Sequence, residues 1–237
     1  MLHHQPTSSE PTSTNVARYD ESKNLSLTVT EIYASIQGES SFAGLPCVFV
    51  RLTGCPLRCR WCDTVYSYKG GETSSIPDIF KEISQHGISL VELTGGEPLA
   101  QDHTPQLIHS LLEEGYTVLV ETSGSEPIEN LDPRTHVIMD LKCPDSKMEN
   151  HNRYENIPYL KQSDEVKFVV ASRKDFDWSI EIIQQHRLET KCKILMSCAF
   201  GLVQPADLVA WMLESKVDAR LNLQQHKYIW SPKAKGV

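Results

Sequence analysis

The sequence predicts an α/β fold in which parallel strands alternate with covering helices, and three observations predict it. Short runs rich in Val, Ile and Leu alternate with amphipathic helical patterns, prolines open and glycines follow several of those helices, and the unusual residues fall directly after strand ends. Chemistry gathers at the carboxyl ends of strands in open doubly wound sheets and in barrels alike. The pattern alone therefore leaves open an open doubly wound sheet and a full or partial barrel.

Residues 1–24 are rich in Ser, Thr, Pro and His without apolar periodicity, so a disordered leader is expected there, with His3 and His4 as bystanders, before one catalytic domain over 25–237. Alternation from Leu25 to Tyr33 predicts a half-buried strand. Further strands are expected at Cys47–Thr53, Ile88–Thr94, Thr117–Glu121, His136–Leu141, Glu165–Val170, Lys193–Cys198 and Ala219–Leu223. Helices are expected at Pro77–His86, Pro105–Glu114, Lys174–His186 and Pro205–Glu214, with Gly87 and Gly115 just past two ends.

Hydrophobic residues make up 40% and charged residues 23%, ordinary values for a chain that folds. A formal net charge of -8 leaves no electrostatic footprint for a phosphate backbone, so direct nucleic-acid binding is not expected. No apolar run reaches the ~18 residues of a membrane span and the start lacks the pattern of a signal peptide, which makes the expected location cytoplasmic. The seven cysteines are an odd number, and three crowd into Cys55–Cys62. In a reducing compartment that points to metal binding or catalysis rather than disulfides.

Cys55-Pro-Leu-Arg-Cys59-Arg-Trp-Cys62 has the form CxxxCxxC. Three thiolates on a four-iron cubane leave one iron open to chelate a small molecule. This spacing resembles that of radical S-adenosylmethionine (SAM) enzymes, in which a [4Fe-4S] cluster binds SAM and cleaves it reductively to a 5′-deoxyadenosyl radical. A structural zinc site is the competing reading, but it needs a second ligand pair. Cys47, Cys143, Cys192 and Cys198 are scattered and read as small buried hydrophobes. Gly95-Gly96-Glu97-Pro98 adds a glycine pair for close backbone approach and a carboxylate suited to an ammonium.

Further segments resemble one family in particular, the 7-carboxy-7-deazaguanine synthases. They are Glu31-Ile-Tyr-Ala-Ser-Ile-Gln-Gly-Glu39, Phe49-Val-Arg-Leu-Thr-Gly-Cys55, Trp61-Cys-Asp-Thr64, Leu93-Thr-Gly-Gly-Glu-Pro98, Glu121-Thr-Ser-Gly124, Asp140-Leu-Lys-Cys-Pro144 and Gln225-His-Lys-Tyr-Ile-Trp230. The resemblance covers nearly all of residues 28–237. It implies an incomplete (β/α) barrel of the radical SAM type with a preceding N-terminal strand. It also implies a lyase that contracts 6-carboxy-5,6,7,8-tetrahydropterin to 7-carboxy-7-deazaguanine with loss of ammonia, in queuosine and deazapurine biosynthesis. The reaction would begin with hydrogen abstraction from C6, with SAM regenerated, Mg²⁺ required and a homodimer as the assembly; an unidentified electron donor, such as flavodoxin, is expected beside it.

Carried over position by position, the resemblance gives Cys55, Cys59 and Cys62 to the cluster and Thr64 to Mg²⁺. It gives Ile36, Gln37, Gly38, Arg51, Thr94 and His226 to the substrate, with the Arg51 fork suited to the pterin carboxylate. For SAM it gives Trp61, Cys62, Asp63, Gly96, Glu97, Ser123, Cys143, Pro144, Asp145 and Gln204. The chain departs from the family pattern at Ser40, where glycine is common, and in its longer leader. A glycyl-radical-enzyme activase and a non-catalytic metal scaffold are the competing readings; the first leaves Gln37-Gly38-Glu39, Arg51 and Thr64 unexplained, and the second has no use for Gly95–Pro98.

Overall fold

The structure, a computed structural model, describes residues 25–237; the expected leader, with His3 and His4, lies outside the described residues. Strand β1 (Ser26–Ile36) pairs antiparallel with β2 (Pro46–Leu52) on one side and with the short β3 (Glu72–Ser75) on the other. From β2 onward all pairing is parallel: β2, β4 (Leu90–Gly95), β5 (Thr117–Thr122), β6 (His136–Leu141), β7 (Glu165–Val170), β8 (Lys193–Cys198) and β9 (Arg220–Leu221) lie side by side in that order.

A doubly wound sheet reverses its strand order at a switch point. Here the order never reverses, so right-handed crossovers put the helices on one face and the sheet curls into part of a barrel. The sheet ends at β3 and β9 without closing. Helices α1 (Ile76–Ser84), α2 (Thr104–Glu113), α3 (Arg173–His186) and α4 (Pro205–Ser215) stand close to their expected places, and α5 (His226–Ile229) is a single turn. Ser75 and Ser172 cap α1 and α3 by accepting the amides of Asp78 and Asp175. The β5–β6 connection holds only turns and bends and the β6–β7 connection only 3₁₀ turns, where the sequence likewise shows no helical period.

Most boundaries shift by one or two residues, and two shift further. Strand β1 runs on to Ile36, and the last strand shrinks from Ala219–Leu223 to two residues. Strand β3 has no counterpart among the expected elements, because Glu72-Thr-Ser-Ser75 carries no apolar residue and sits on the sheet edge.

Strand alternation divides the interior into two layers. One set of positions, including Val50, Leu93, Val120, Met139 and Phe168, packs outward into the large core under the helices. The other set points inward. There Cys47, Phe49, Leu90, Leu119 and Ile138 form a small apolar plug. Nearer the carboxyl ends of the same strands, the inward residues become Arg51, Glu92, Thr94, Glu121, Asp140 and Lys167, all lining one cavity. No helix among the described residues is long and apolar enough to cross a membrane.

Candidate active site

The cavity, of about 730 Å³, opens at the carboxyl ends of the parallel strands. Its shape follows from how closely the strand ends meet. A Cβ on Gly96 would lie 1.9 Å from the Gly54 carbonyl oxygen, and one on Gly95 2.2 Å from that of Leu52. The glycine pair therefore lets backbone meet backbone: Glu97 N–H donates to Gly54 O at 2.7 Å and so fixes the entry to the cysteine loop. Only then does the loop present Cys55, Cys59 and Cys62, all three lining the cavity as half-buried thiols.

The thiols lie close enough to feel one another. Burial pushes the Cys55 and Cys59 thiols up, the other cysteines add to it, and the Lys142 ammonium opposes it in both. Among the described residues no three His, Cys, Asp or Glu side chains gather on a single-ion site. A four-iron cluster asks for something else, three thiolates spaced around a shared volume with a positive group nearby, and the loop provides that donor set. The remaining cysteines sort differently: Cys47, Cys143 and Cys192 are buried, Cys143 bordering the cavity but with its thiol 3.6 Å from Ser179 Oγ, whereas Cys198 is half-buried at the cavity wall.

Opposite the cysteines stands a charged floor that the sequence reading did not identify. Lys167 Nζ bonds Glu39 at 2.9 Å and also Glu121, with Asp140 at 3.9 Å, and Lys142 pairs with Asp140 at 2.9 Å. Burial, followed by the charges of Glu121 and Glu39, pushes the Glu92 carboxyl well above the usual carboxylate range. Burial alone would raise the Glu39 carboxyl too, but the Lys167 ammonium outweighs it and holds Glu39 at about 2. A carboxyl depressed in the fold adds stability above its unfolded value of about 4.5 that is lost as pH falls through about 2. Acid unfolding followed by circular dichroism should show this as falling stability between those limits, and Glu39→Gln should flatten that part of the curve.

The expected substrate residues converge, but several are already engaged. Ile36, Gln37, Gly38, Arg51, Thr94 and His226 all line the cavity. The Gln37 amide donates to Glu92 and accepts from Glu39 N–H at 2.7 Å, which commits its side chain to the protein. Arg51 and Thr94 sit in register on adjacent strands. The Arg51 fork donates through Nε to Glu31 at 2.7 Å and through Nη2 to the Tyr33 hydroxyl at 2.8 Å, and the Tyr66 hydroxyl donates to the same Glu31 oxygen. His226 packs on Gly38, where a Cβ would come within 2.6 Å of Nδ1. Burial holds its imidazole below the usual range.

The expected SAM residues divide. Trp61, Cys62, Asp63, Gly96, Ser123 and Cys143 line the cavity. Glu97 does not: it is fully buried, and its two oxygens accept from Thr122 Oγ1, Leu99 N, Ser123 N and Ser123 Oγ. Its acceptor capacity goes to shaping the Thr122–Ser123 turn, and a ligand ammonium would meet this carboxylate by displacing one of those donors. Pro144 and Asp145 stand behind the wall, where Asp145 Oδ2 accepts from Ser172 Oγ and its N–H donates to Asp175. Gln204 borders a separate, adjoining cavity of about 250 Å³. Thr64 lines the main cavity with its hydroxyl 3.6 Å from the Cys62 sulfur. The departure at Ser40 also has a physical reading, since this residue adopts φ +63°, the left-handed region that glycine enters freely.

Comparison with known proteins agrees with this geometry. The model of the radical SAM superfamily matches residues 49–185. A 7-carboxy-7-deazaguanine synthase of Koribacter versatilis is 45% identical, the match covering 88% of this chain and 99% of that protein. One of Chlorobaculum tepidum is 43% identical over 89% of this chain and 97% of its own length. Among solved structures, QueE from Escherichia coli superposes with a TM-score of 0.73 at 22% identity, covering 88% of this chain and 98% of that one, a likeness of fold.

Proposed function

We infer the chemistry from family: the chain belongs to the 7-carboxy-7-deazaguanine synthases, within the radical SAM superfamily. It is a radical SAM enzyme of deazapurine biosynthesis and uses a [4Fe-4S] cluster with SAM. When bound, these cofactors supply the 5′-deoxyadenosyl radical. We propose that the substrate is 6-carboxy-5,6,7,8-tetrahydropterin, contracted to 7-carboxy-7-deazaguanine with loss of ammonia. The observation that carries this reading is one cavity of about 730 Å³ with three half-buried thiols on one wall and a hydrogen-bonding, charged floor on the other.

Cys55, Cys59 and Cys62 hold the cluster, while Trp61, Asp63, Gly96, Ser123 and Cys143 form the wall on which SAM lies. Across from them, Ile36–Gly38 and Thr94 border the pterin ring, with Glu92 and the Lys167-bound carboxylates below it. Arg51 meets the pterin carboxylate with the part of its fork that Glu31 and Tyr33 leave over. His226 closes the pocket from the C-terminal side.

Thr64 is the proposed Mg²⁺ ligand. Mg²⁺ keeps several waters and takes oxygens from its substrate, so one protein hydroxyl suffices. The neighbouring Asp63 carboxylate is already paired with Lys227 at 2.7 Å. Thr64→Ala should lower pterin turnover more than it lowers SAM cleavage without substrate, because the metal acts on substrate placement. Parallel assays of deazaguanine and 5′-deoxyadenosine measure the two rates, and equal losses would remove Thr64 from the metal.

Three coarser features complete the proposal. The described residues form one catalytic unit, the protein works as a cytoplasmic homodimer, and a flavodoxin-like protein reduces it. Its net charge of -8 supports a small-molecule rather than a nucleic-acid partner. Anaerobic reconstitution tests the cofactor half of the reading: SAM should perturb the paramagnetic resonance spectrum of the reduced cluster, and an unresponsive cluster would refute it.

A further inference from the structure

We propose that Lys227 is a positioning residue: its ammonium pins the C-terminal segment to the cysteine loop and holds the substrate wall of the cavity in register with the cofactor wall. The proposal rests on the functional reading above. Lys227 Nζ donates to Asp63 Oδ2 at 2.7 Å, and the ring of Phe200, from the loop after β8, lies 5.0 Å from the ammonium. The lysine side chain is only 7% exposed although α5 is a single turn on the surface. A cation at that depth is costly unless paired, so the geometry of the helix and that of Asp63 constrain each other.

What the pin joins gives it a role. On one side Asp63 stands between Cys62 and Thr64; on the other His226 precedes Lys227 and fills the space above Gly38. The other polar ties of this segment run to the Gly38–Glu39 turn, from Gln225 N to Gly38 O and from Gln224 Nε2 to Glu39 Oε1, both at 2.9 Å. These two attach residues 224 and 225 to the substrate wall, and further along Lys235 Nζ lies 4.2 Å from the centre of the Tyr66 ring. Among the described residues, Lys227 supplies the ion pair that carries the attachment across to the cysteine loop. The Asp63 end of the pair is half-exposed, so the carboxylate left behind stays solvated and its cost in stability is small. The expected loss is therefore in coupling between the two halves of the site rather than in folding.

The test compares wild type, Lys227→Met, Lys227→Arg, Asp63→Asn and the Lys227→Met/Asp63→Asn double variant, each reconstituted anaerobically to equal iron content. Lys227→Met should raise KM for the carboxytetrahydropterin about tenfold or more and leave SAM cleavage without substrate near the wild-type rate. Lys227→Arg should recover most of the loss, and the double variant should lose no more than the worse single one. Hydrogen exchange without pterin gives a readout independent of turnover: amides of residues 224–230 should exchange faster in Lys227→Met than in wild type. Unchanged exchange, additive losses or an equal fall in SAM cleavage would each overturn the proposal. If the wild type fails to convert the pterin, the substrate reading falls, and the exchange comparison still decides whether Lys227 pins the segment.

Discussion

Cys59→Ala should abolish assembly of a competent cluster: iron and sulfide per chain collapse, the paramagnetic signal of the reduced enzyme disappears and SAM is no longer cleaved. The reason is stoichiometric. Cys59 sits in the middle of the only short loop that brings three thiols to the cavity, and Cys143 and Cys198 enter the wall from other strand ends, with burial raising both thiols. Cys192→Ala is the control. Its thiol is buried in the core, 3.8 Å from the Leu188 carbonyl oxygen, so its loss trims packing and leaves the cluster intact. Full SAM cleavage by Cys59→Ala would remove that residue from the ligand set.

Arg51→Ala should lower pterin binding or productive turnover by roughly two to three and a half orders of magnitude, the equivalent of the about 3–5 kcal/mol that follows when one partner of a buried pair is removed. The structure adds a second source for this loss. The Arg51 side chain is 12% exposed and neutralises Glu31, so its removal also leaves a carboxylate beside the cavity repelling the substrate's own. Arg51→Lys should recover only part, since it keeps the charge but loses the fork that serves Glu31 and Tyr33 together. Adding Glu31→Gln to Arg51→Ala should restore a measurable share of turnover by removing the unpaired charge. Titration of the pterin against each reconstituted variant, with the decarboxylated pterin as comparison ligand, measures the effect. An equal loss for both ligands would mean that Arg51 supports the fold instead.

Arg51 also shows how far the sequence could be read. An arginine in an otherwise apolar strand needs a partner, and the structure supplies Glu31 and the Tyr33 hydroxyl beside the cavity. The same logic applied to Glu92 within Leu90–Gly95, Asp140 within His136–Leu141 and Lys167 within Glu165–Val170 would have found the charged floor. Each is one ionisable residue among apolar neighbours on an inward position. What could not be read is their pairing. Lys167 meets Glu39 and Glu121 only because unreversed strand order brings β7 round to face the turn after β1, a long-range consequence of topology.

The internal partners of Glu97 and Gln37 could not be read for a related reason. Their motifs were visible, but whether a carboxylate or amide faces a ligand or its own protein depends on neighbours 25 and 55 residues away, Thr122 and Glu92. The strands were legible wherever burial on both faces gave a continuous Val/Ile/Leu run. Strand β3 was not, because an edge strand without apolar residues owes its existence to the pairing offered by β1.

The central claim is that this cavity converts a carboxylated pterin by radical SAM chemistry. Anaerobic incubation of the reconstituted enzyme with reductant, SAM, Mg²⁺ and 6-carboxy-5,6,7,8-tetrahydropterin, followed by mass spectrometry, tests it most directly. The account predicts 7-carboxy-7-deazaguanine and ammonia in equal amounts, formed in excess over the SAM consumed; SAM cleaved to 5′-deoxyadenosine with the pterin returned unchanged would contradict it.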